Sequence, residues 1–202
     1  MNMWDDRYRT HDTVYGVQPN AFWASQLALR TPGSVCVPCD GEGRNAVHAA
    51  QQGWAVTSCD LSEVGVNKAQ ALAQERGVEI HAEVANALDF HPSQHFDVVG
   101  LVFSHMPPTV REAFHHRAWS WVKPGGVLVV EGFHKDQLGL GSGGPKQLDM
   151  LYDHDTFRRD VEEAFDDATT VWSARCEQIL DEGPFHQGFA VTQQVVLQKQ
   201  HA

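Results

Sequence analysis

Short apolar runs alternate along the chain with segments that repeat apolar residues at helical spacing. In chain order, the first of these segments are VCVP, RNAVHAAQQ, WAVTSC, VGVNKAQALAQER and VEIHAEV. This alternation is typical of βαβαβ units, in which helices cover the faces of a parallel sheet. Two later runs, FDVVGLVF (96–103) and GVLVVEGF (126–133), are almost wholly apolar. Strands that are buried on both faces have this composition, so we predict two further strands in the same sheet.

The last part of the chain has a different pattern. The β-prone stretches TTVWSARCEQIL and FAVTQQVVLQ are joined by the short connection DEGPFHQG. A parallel crossover needs a dozen or more residues, so this connection predicts an antiparallel hairpin. The sequence therefore indicates an α/β fold with a mostly parallel sheet, helices on both faces and a C-terminal antiparallel hairpin.

The sequence also predicts the structure of the segments that connect these strands. The segment PTVREAFHHRAWSWV is predicted to be a helix, and KPGG (123–126) to be the turn that ends it. A helix is expected near DHDTFRRDVEEAF. Residues 134–149 are rich in glycine and are expected to form a loop without regular structure. Loops of this kind often contribute to function, so we assign 134–155 to the substrate side.

Length and composition narrow the class of protein. A chain of 202 residues, with 42% hydrophobic and 20% charged residues, is consistent with one globular domain over 1–202. It contains no apolar run of about 18 residues, so no membrane partner is expected. The N-terminus lacks the features of a secretory signal, which favours a cytoplasmic location. No segment demands a partner chain, and a monomer is favoured.

The charge and the histidines exclude further classes. The formal net charge is −11, because 26 acidic residues outnumber 15 basic ones, and this balance argues against a nucleic acid partner. The twelve histidines are scattered without the spacing of a zinc site, so no metal is expected.

A glycine-rich turn follows the first predicted strand. Gly41 and Gly43 lie where that strand gives way to a helix, and glycine there lets the backbone approach a ligand closely. Asp60 ends the next strand, where a carboxylate can accept hydrogen bonds from both ribose hydroxyls. Together they predict an adenosine-bearing ligand. NAD remains possible on spacing alone, but the short architecture favours S-adenosylmethionine.

Two cysteines flank the same strand. In an extended strand, Cys36 and Cys39 point to opposite faces, with α-carbons about 10 Å apart at roughly 3.3 Å per residue. A disulfide needs about 4.4 to 6.8 Å. We therefore interpret this Cys-x-x-Cys as two small buried residues rather than a redox or zinc motif. Cys59 is expected beside Cys39 on the adjacent strand, with the thiols reduced.

Several motifs in register resemble those of a known family. They are WDDRY, YGVQPN, GEGRN, CDLS, VANALDF, FDVVGLVFSHMPP, WVKPGGVLVVEGF, GGPK and DEGPFHQG. On these motifs, the sequence resembles the class I S-adenosylmethionine-dependent methyltransferases, and within them it is similar to the small tellurite-resistance-type enzymes. The resemblance extends over nearly the whole chain. It implies a Rossmann-like seven-stranded fold with S-adenosylmethionine as cofactor.

The resemblance also implies a set of cofactor-binding residues. Gly41 and Gly43 would frame the methionine moiety, and Asp40 or Glu42 would meet its ammonium group. Asp60 would hold the ribose. The full predicted set is Asp40, Gly41, Gly43, Asn45, Asp60, Leu61, Asn86, Ala87, Phe103 and Ser104. Within it, Asn86 and the backbone of Ala87 would read the adenine edge, while Phe103 and Ser104 would flank the sulfonium.

The first motif departs from the class pattern. Val37 and Cys39 stand where the class has an acidic residue and its first glycine, and Pro38 lies between them. This departure puts in doubt how the methionine end of the cofactor is held. Because proline cannot donate to a sheet ladder, we predict that regular pairing of this strand stops near Val37.

Candidate substrate-side residues lie at the N-terminus and in the hairpin. Residues 1–30 resemble the lid of related enzymes, and within them Tyr8 and Tyr15 are expected to bind substrate. His186, in the hairpin connection, is assigned the same role. His105 follows the fourth strand, and its unperturbed pKa near 6.5 suits proton removal, so it is predicted to be the general base. For each, a purely structural role is the alternative.

The predicted function is methyl transfer from S-adenosylmethionine to a small molecule by direct displacement. The acceptor is a thiol, a hydroxyl or a metalloid oxyanion, and the residue pattern does not distinguish between them. Three alternatives stay open: an RNA or protein methyltransferase, an NAD-dependent oxidoreductase, and a non-catalytic S-adenosylmethionine-binding protein.

Overall fold

A seven-stranded sheet forms the centre of the molecule. The computed structural model describes residues 2–201. The strands are β1 (Ser34–Pro38), β2 (Ala55–Asp60), β3 (His81–Val84), β4 (Phe96–Val102), β5 (Val122–Phe133), β6 (Ala168–Asp181) and β7 (Gln187–Lys199). Their order across the sheet is β3-β2-β1-β4-β5-β7-β6. Strands β1 to β5 pair in parallel, whereas β7 is antiparallel to both β5 and β6. The predicted fold class is confirmed, including the C-terminal hairpin.

Six α-helices accompany the strands in the described residues. They are α1 (Met3–Tyr8), α2 (Ala21–Ala28), α3 (Arg44–Gln51), α4 (Glu63–Glu75), α5 (Pro108–Ser120) and α6 (His154–Phe157). Side chains fix several starting points: Asn20 accepts from the Trp23 N–H at the start of α2, and Ser62 accepts from the Gly65 N–H at the start of α4. Such caps satisfy N–H groups that have no partner within the helix.

Both faces of the sheet are covered by apolar clusters. Trp23 of α2 and Val129 of β5 are fully buried on one face, while Phe114 and Trp119 of α5 are fully buried on the other. At roughly 25 cal/mol per Å² of buried apolar surface, these two layers supply the main favourable term for folding. They also fix the carboxyl ends of β1, β2 and β4 at one edge of the sheet, where parallel α/β folds bind ligands.

Strand β1 leaves the sheet abruptly. Its pairing with β4 ends at Cys36, but its pairing with β2 continues to Pro38, one residue beyond the predicted stop. Cys39 then takes a positive φ of 58° and donates its N–H to the Cys59 carbonyl at 2.7 Å. This left-handed conformation is costly for a residue other than glycine and is typical of functional sites.

The cysteine prediction is confirmed in part. All four cysteines are free thiols, and Cys39 lies beside Cys59 as expected. The expected opposite orientation of Cys36 and Cys39 is wrong, because both pack against the same apolar cluster. The positive φ of Cys39 breaks the alternation that an extended strand would impose.

Two segments differ from the sequence-based expectation. KPGG (123–126) belongs to β5 instead of forming a turn, and an irregularity in the pairing opposite Phe96 to Val98 absorbs it. The helix expected near residue 154 is short, and it continues into a π-helical turn at Arg158–Glu162. Within residues 134–155, single 3-10 turns lie at Lys135–Gln137 and Leu148–Met150.

Within residues 2–201, no helix combines the length and apolar character needed to cross a membrane. The same residues contain no group of three or more His, Cys, Asp or Glu side chains placed to hold a metal ion.

Candidate active site

The glycine-rich turn is packed too tightly to accept side chains. Gly41 and Gly43 have positive φ values of 60° and 85°. A Cβ on Gly41 would lie 2.2 Å from the Tyr8 hydroxyl, and one on Gly43 would lie 2.4 Å from the Cβ of Ala69. Gly43 therefore lets α4 approach the turn, and Gly41 leaves room beside Tyr8. The turn is a cradle that only glycine can form.

Asp60 is oriented by the backbone on both sides. Its Oδ2 accepts from the Gly41 N–H at 2.9 Å, and its Oδ1 accepts from the Ser62 N–H at 2.8 Å. The side chain is almost fully buried, and this burial raises its pKa. Each carboxylate oxygen has a second lone pair, so the fixed carboxylate can still accept from two ligand hydroxyls.

The two acidic residues considered for the cofactor ammonium group have different environments. Glu42 is fully engaged: its Oε1 accepts from Lys68 Nζ at 2.9 Å, and its Oε2 accepts from the N–H groups of Val14 and Tyr15. Asp40 has one free oxygen, since Oδ1 is buried and has no partner within the described residues. Burial raises the pKa of Asp40 to about 7, which an adjacent ligand cation would lower again. The geometry favours Asp40 for this role.

Asn45 connects the turn to the N-terminal segment. Its Oδ1 accepts from the Asn20 N–H at 2.9 Å, and its carbonyl accepts from Trp23 Nε1 at 3.1 Å. The Asn20 amide donates in turn to the buried carboxylate of Glu131. Gln178, Thr192 and Gln194 also donate to Glu131. The predicted cofactor residue Asn45 thus uses its side-chain oxygen to hold neighbouring protein.

The loop after β3 offers a backbone donor. The Asn86 side chain is exposed and is engaged within its own turn, because Oδ1 accepts from the Leu88 N–H and Nδ2 donates to Asp89. The Ala87 N–H has no hydrogen-bond partner among residues 2–201. Leu61, directly after Asp60, is 48% exposed. Leu61 is therefore open to a planar base and Asn86 mainly shapes the turn, whereas Ala87, whose N–H is free, is only 4% exposed.

Beyond β4, two predicted residues lie against the hairpin. Phe103 has a positive φ of 52°, and its ring centroid is 4.7 Å from that of Phe133 and 4.5 Å from that of His186. Ser104 follows it, and the Ser104 Oγ is buried without a partner in the described structure. A strained aromatic residue and an orphaned hydroxyl adjoin here, which is typical of ligand sites.

The predicted substrate-side residues form one aromatic cluster. The Tyr15 ring centroid is 6.3 Å from that of Tyr8 and 4.5 Å from that of His186. His186 Nδ1 lies 3.2 Å from an oxygen of Glu182, and Arg44 Nη2 donates to that same oxygen at 2.9 Å. The structure therefore brings Tyr8 and Tyr15 together with His186, which is distant from both in the sequence.

Burial and neighbouring charges set the protonation states of Glu182 and His186. Burial raises the pKa of Glu182, but the hydrogen bond from His186 and the Arg44 charge bring it below its usual value overall. Burial lowers the pKa of His186, and the Glu182 carboxylate only partly offsets this effect. At neutral pH the ring is neutral. With Nδ1–H donating to Glu182, Nε2 is free to accept a proton.

His105 does not meet the requirements for the general base. Its Nδ1 lies 2.8 Å from the Met150 carbonyl, and its Nε2 accepts from the Phe133 N–H at 2.9 Å. Both ring nitrogens are thus used by the main chain. Burial also lowers the pKa of His105 to about 4. The ring joins the two ends of the loop between Phe133 and Met150, which leaves it no free nitrogen to act as the base.

The buried, hydrogen-bonded His105 ring makes the stability of the folded protein depend on pH. The folded-state pKa of His105, about 4, lies below the unfolded value of about 6.5, so the unfolded chain takes up the proton first. Stability should therefore fall as pH decreases from about 6.5 towards 4. We expect the urea midpoint of the wild type to drop more between pH 7 and pH 5 than that of His105→Gln. Equal drops in the two proteins would contradict this assignment.

Three residues that position the site were missed by the sequence analysis. They are Asn20, Glu131 and Glu182, and each is a polar side chain buried or nearly buried against another element. Asn20 belongs to the quoted motif YGVQPN and Glu182 to DEGPFHQG, so those motifs carried a usable signal. Glu131 lies within an apolar strand, where a lone acidic residue is itself unusual.

The donors and acceptors of the site fit S-adenosylmethionine. The glycine cradle, the paired N–H groups on Asp60 and the buried free oxygen of Asp40 suit the methionine and ribose parts. The free Ala87 N–H suits an adenine ring nitrogen. These features lie at the ends of three strands, β1, β2 and β3, and converge on one edge of the sheet.

Comparison with known proteins agrees with this geometry. Residues 36–126 match the family model of the methyltransferase domain. The fold is that of the class I S-adenosylmethionine-dependent methyltransferases, and the family match relates residues 36–126 of this chain to them. Within this class it is similar to TehB from Haemophilus influenzae, with 12% identity and a TM-score of 0.73, over 98% of this chain and 67% of that chain.

Two further proteins are similar to this chain, also at low sequence identity. A structure solved in work on conversion of a disulfide bond into a thioacetal group during echinomycin biosynthesis has 18% identity and a TM-score of 0.77, covering 98% of this chain and 90% of that chain. The tRNA 5-carboxymethoxyuridine methyltransferase of Escherichia coli K12 is 29% identical over 98 residues, which are 45% of this chain and 36% of that protein. The match thus spans about a third of the length of this curated relative.

Proposed function

We propose that the protein transfers a methyl group from S-adenosylmethionine to a small molecule, by direct displacement on a thiol, a hydroxyl or a metalloid oxyanion. The observation that carries the proposal is the Glu182–His186 pair, which lies against Phe103 beside the cofactor cradle. A neutral imidazole with one oriented nitrogen and one free nitrogen suits an acceptor that must lose a proton.

In this proposal the chain positions the reactants and excludes water. The cradle, Asp40, Asp60 and Ala87 would hold S-adenosylmethionine, which would supply an electrophilic methyl group, with S-adenosylhomocysteine as the leaving group. The rings of Tyr15 and Phe103 enclose the acceptor. Positioning of this kind supplies roughly 7 to 11 kcal/mol in favourable cases.

We assign to His186 the role of the base that accepts the proton of a neutral acceptor. His186 Nε2 would take up that proton, and Glu182 would stabilise the resulting imidazolium through Nδ1–H. General-base catalysis contributes typically about 10² to 10⁴-fold. An acceptor that is already an anion, such as a thiolate or a metalloid oxyanion, needs no base.

A second candidate function is methylation of RNA. The similarity to a tRNA methyltransferase favours it. Acidic residues outnumber basic ones by 26 to 15, and this excess disfavours RNA as a substrate, because a negative surface repels a polyphosphate backbone. The two functions share the cofactor site and differ in the acceptor.

The proposal is tested in two stages. Calorimetry should first show binding of S-adenosylmethionine and S-adenosylhomocysteine; absence of binding would overturn the enzyme assignment. Radiolabelled methyl transfer is then measured to thiols, phenols, selenite, tellurite, an unmodified tRNA transcript and a peptide mixture, with Asp60→Asn as the blank. Transfer to a small molecule is the expected result. Transfer only to tRNA or only to peptides would overturn the choice of substrate class.

A further inference from the structure

One arginine beside the aromatic cluster lacks an acidic partner. Arg7, the penultimate residue of α1, is half-buried and donates from Nη1 to the Tyr15 hydroxyl at 3.1 Å. Its guanidinium lies over the Trp4 ring at 4.9 Å and over the Phe185 ring at 5.5 Å. It forms no ion pair with any carboxylate in residues 2–201. The other guanidinium N–H groups are therefore available to a ligand.

The neighbouring cations, by contrast, are neutralised. Arg44 pairs with Glu182 at 2.9 Å, and Lys68 pairs with Glu42 at 2.9 Å. Arg9, in the turn after α1, pairs with Asp6 on the exposed side. Arg30 and Arg117 are also half-buried without a carboxylate partner, but neither has a contact with the aromatic cluster. The charge of Arg7 adds a local positive potential where the protein as a whole is negative.

Contacts connect this charge to the reacting end of the site. Arg7 bonds to the Tyr15 hydroxyl, and the Tyr15 ring is 4.5 Å from the His186 ring. Phe103 also contacts His186, at 4.5 Å between ring centroids. The guanidinium, the aromatic surface and the free imidazole nitrogen thus follow one another along the same cluster.

We propose that Arg7 selects an acceptor that carries a carboxylate in addition to the atom that is methylated. This inference rests on the proposed function. The carboxylate pairs with the guanidinium at the Trp4 and Phe185 end, and the apolar body lies along Tyr15. The reacting thiol or hydroxyl then reaches His186. Arginine suits this role because its fixed fork of N–H donors matches the two oxygens of a carboxylate.

The test uses two probes of the same shape and different charge. 4-Mercaptobenzoate and 4-mercaptobenzamide are titrated by calorimetry into the complex with S-adenosylhomocysteine. We expect the wild type to bind the benzoate about 10-fold more tightly than the amide, as for a hydrogen-bonded charge pair near a protein surface. In Arg7→Gln the two affinities should agree within about two-fold. The matched control Arg9→Gln should keep the wild-type preference.

The outcomes separate this inference from the proposed function. Equal binding of the two probes by the wild type, no binding of either, or a preference that survives in Arg7→Gln would overturn the role of Arg7. Methylation of both thiols at equal rates would uphold the proposed function and overturn the selection. Preferential binding of the benzoate without methylation of either thiol would uphold the selection and count against thiols as acceptors.

Discussion

Replacement of His186 by asparagine should lower kcat by about 10² to 10⁴-fold with a hydroxyl acceptor. The imidazole Nε2 is the free proton acceptor in the aromatic cluster, and Glu182 holds the ring through Nδ1 at 3.2 Å. Asparagine keeps a polar group near Glu182 but cannot take up the proton. The affinity for S-adenosylmethionine should change by less than about three-fold, because His186 contacts none of the cradle residues.

Two internal comparisons make this result specific. With a thiolate acceptor, which has no proton to lose, the same variant should retain its rate within a few-fold. His81→Asn serves as the matched control, since His81 is an exposed histidine on β3 that pairs with Glu83. If His186→Asn lowers both rates equally, His186 positions the acceptor, and its assignment as the base is wrong.

The pH profile gives an independent readout. The pKa of His186 is lowered by burial, so the neutral ring is present at pH 7 and is lost only below its usual titration range. In the wild type, kcat with a hydroxyl acceptor should be constant near neutral pH and fall on acidification. His186→Asn should lose this acidic limb. A limb that survives in the variant would point to another titrating group.

Replacement of Asp60 by asparagine should weaken S-adenosylmethionine binding by about 100-fold. Hydrogen bonds to a charged acceptor are each worth about 1.5 to 3 kcal/mol, and a ribose offers two hydroxyls. The amide also turns an N–H donor towards the Gly41 or the Ser62 N–H, so the cradle itself is disturbed. Calorimetry of the purified variant measures the loss.

A folded control is required, because Asp60 is buried. Asp97→Asn is the matched variant: Asp97 also accepts from a main-chain N–H, that of Ser34, but at the opposite end of β1. It should bind S-adenosylmethionine as the wild type does. Thermal unfolding monitors both variants. Unchanged affinity in a folded Asp60→Asn protein would show that the ribose is held elsewhere.

The fold was largely predictable because its signals are local. Apolar runs, separated by segments with helical periodicity, marked every strand of the sheet. The short hairpin connection predicted its antiparallel end. KPGG was misjudged, since proline and glycine usually mark turns, whereas here a pairing irregularity lets β5 absorb them. The orientation of Cys39 was also misjudged, because its left-handed backbone has no sequence signal at a residue other than glycine.

The site was predictable where function depends on the backbone and less so where it depends on partners. Gly41, Gly43 and Asp60 have roles set by their place at strand ends, and they meet as expected. His105 was chosen for its position and chemistry, but its two main-chain partners lie at Phe133 and Met150, in a loop whose path the sequence does not specify. His186 is the base that we propose instead, and its contact with Glu182 is visible only in three dimensions.

The Arg44–Glu182 pair has a consequence for synthesis of the chain. These residues are 138 positions apart in the sequence, yet Arg44 opens the helix that follows the cofactor cradle. Asn20 and Glu131 also depend on donors and acceptors from the hairpin strands. On a ribosome, the glycine turn emerges long before Glu182 and the residues of the two hairpin strands. We therefore expect the contacts that hold Arg44, Asn20 and Glu131 to form only after the last two strands have been added.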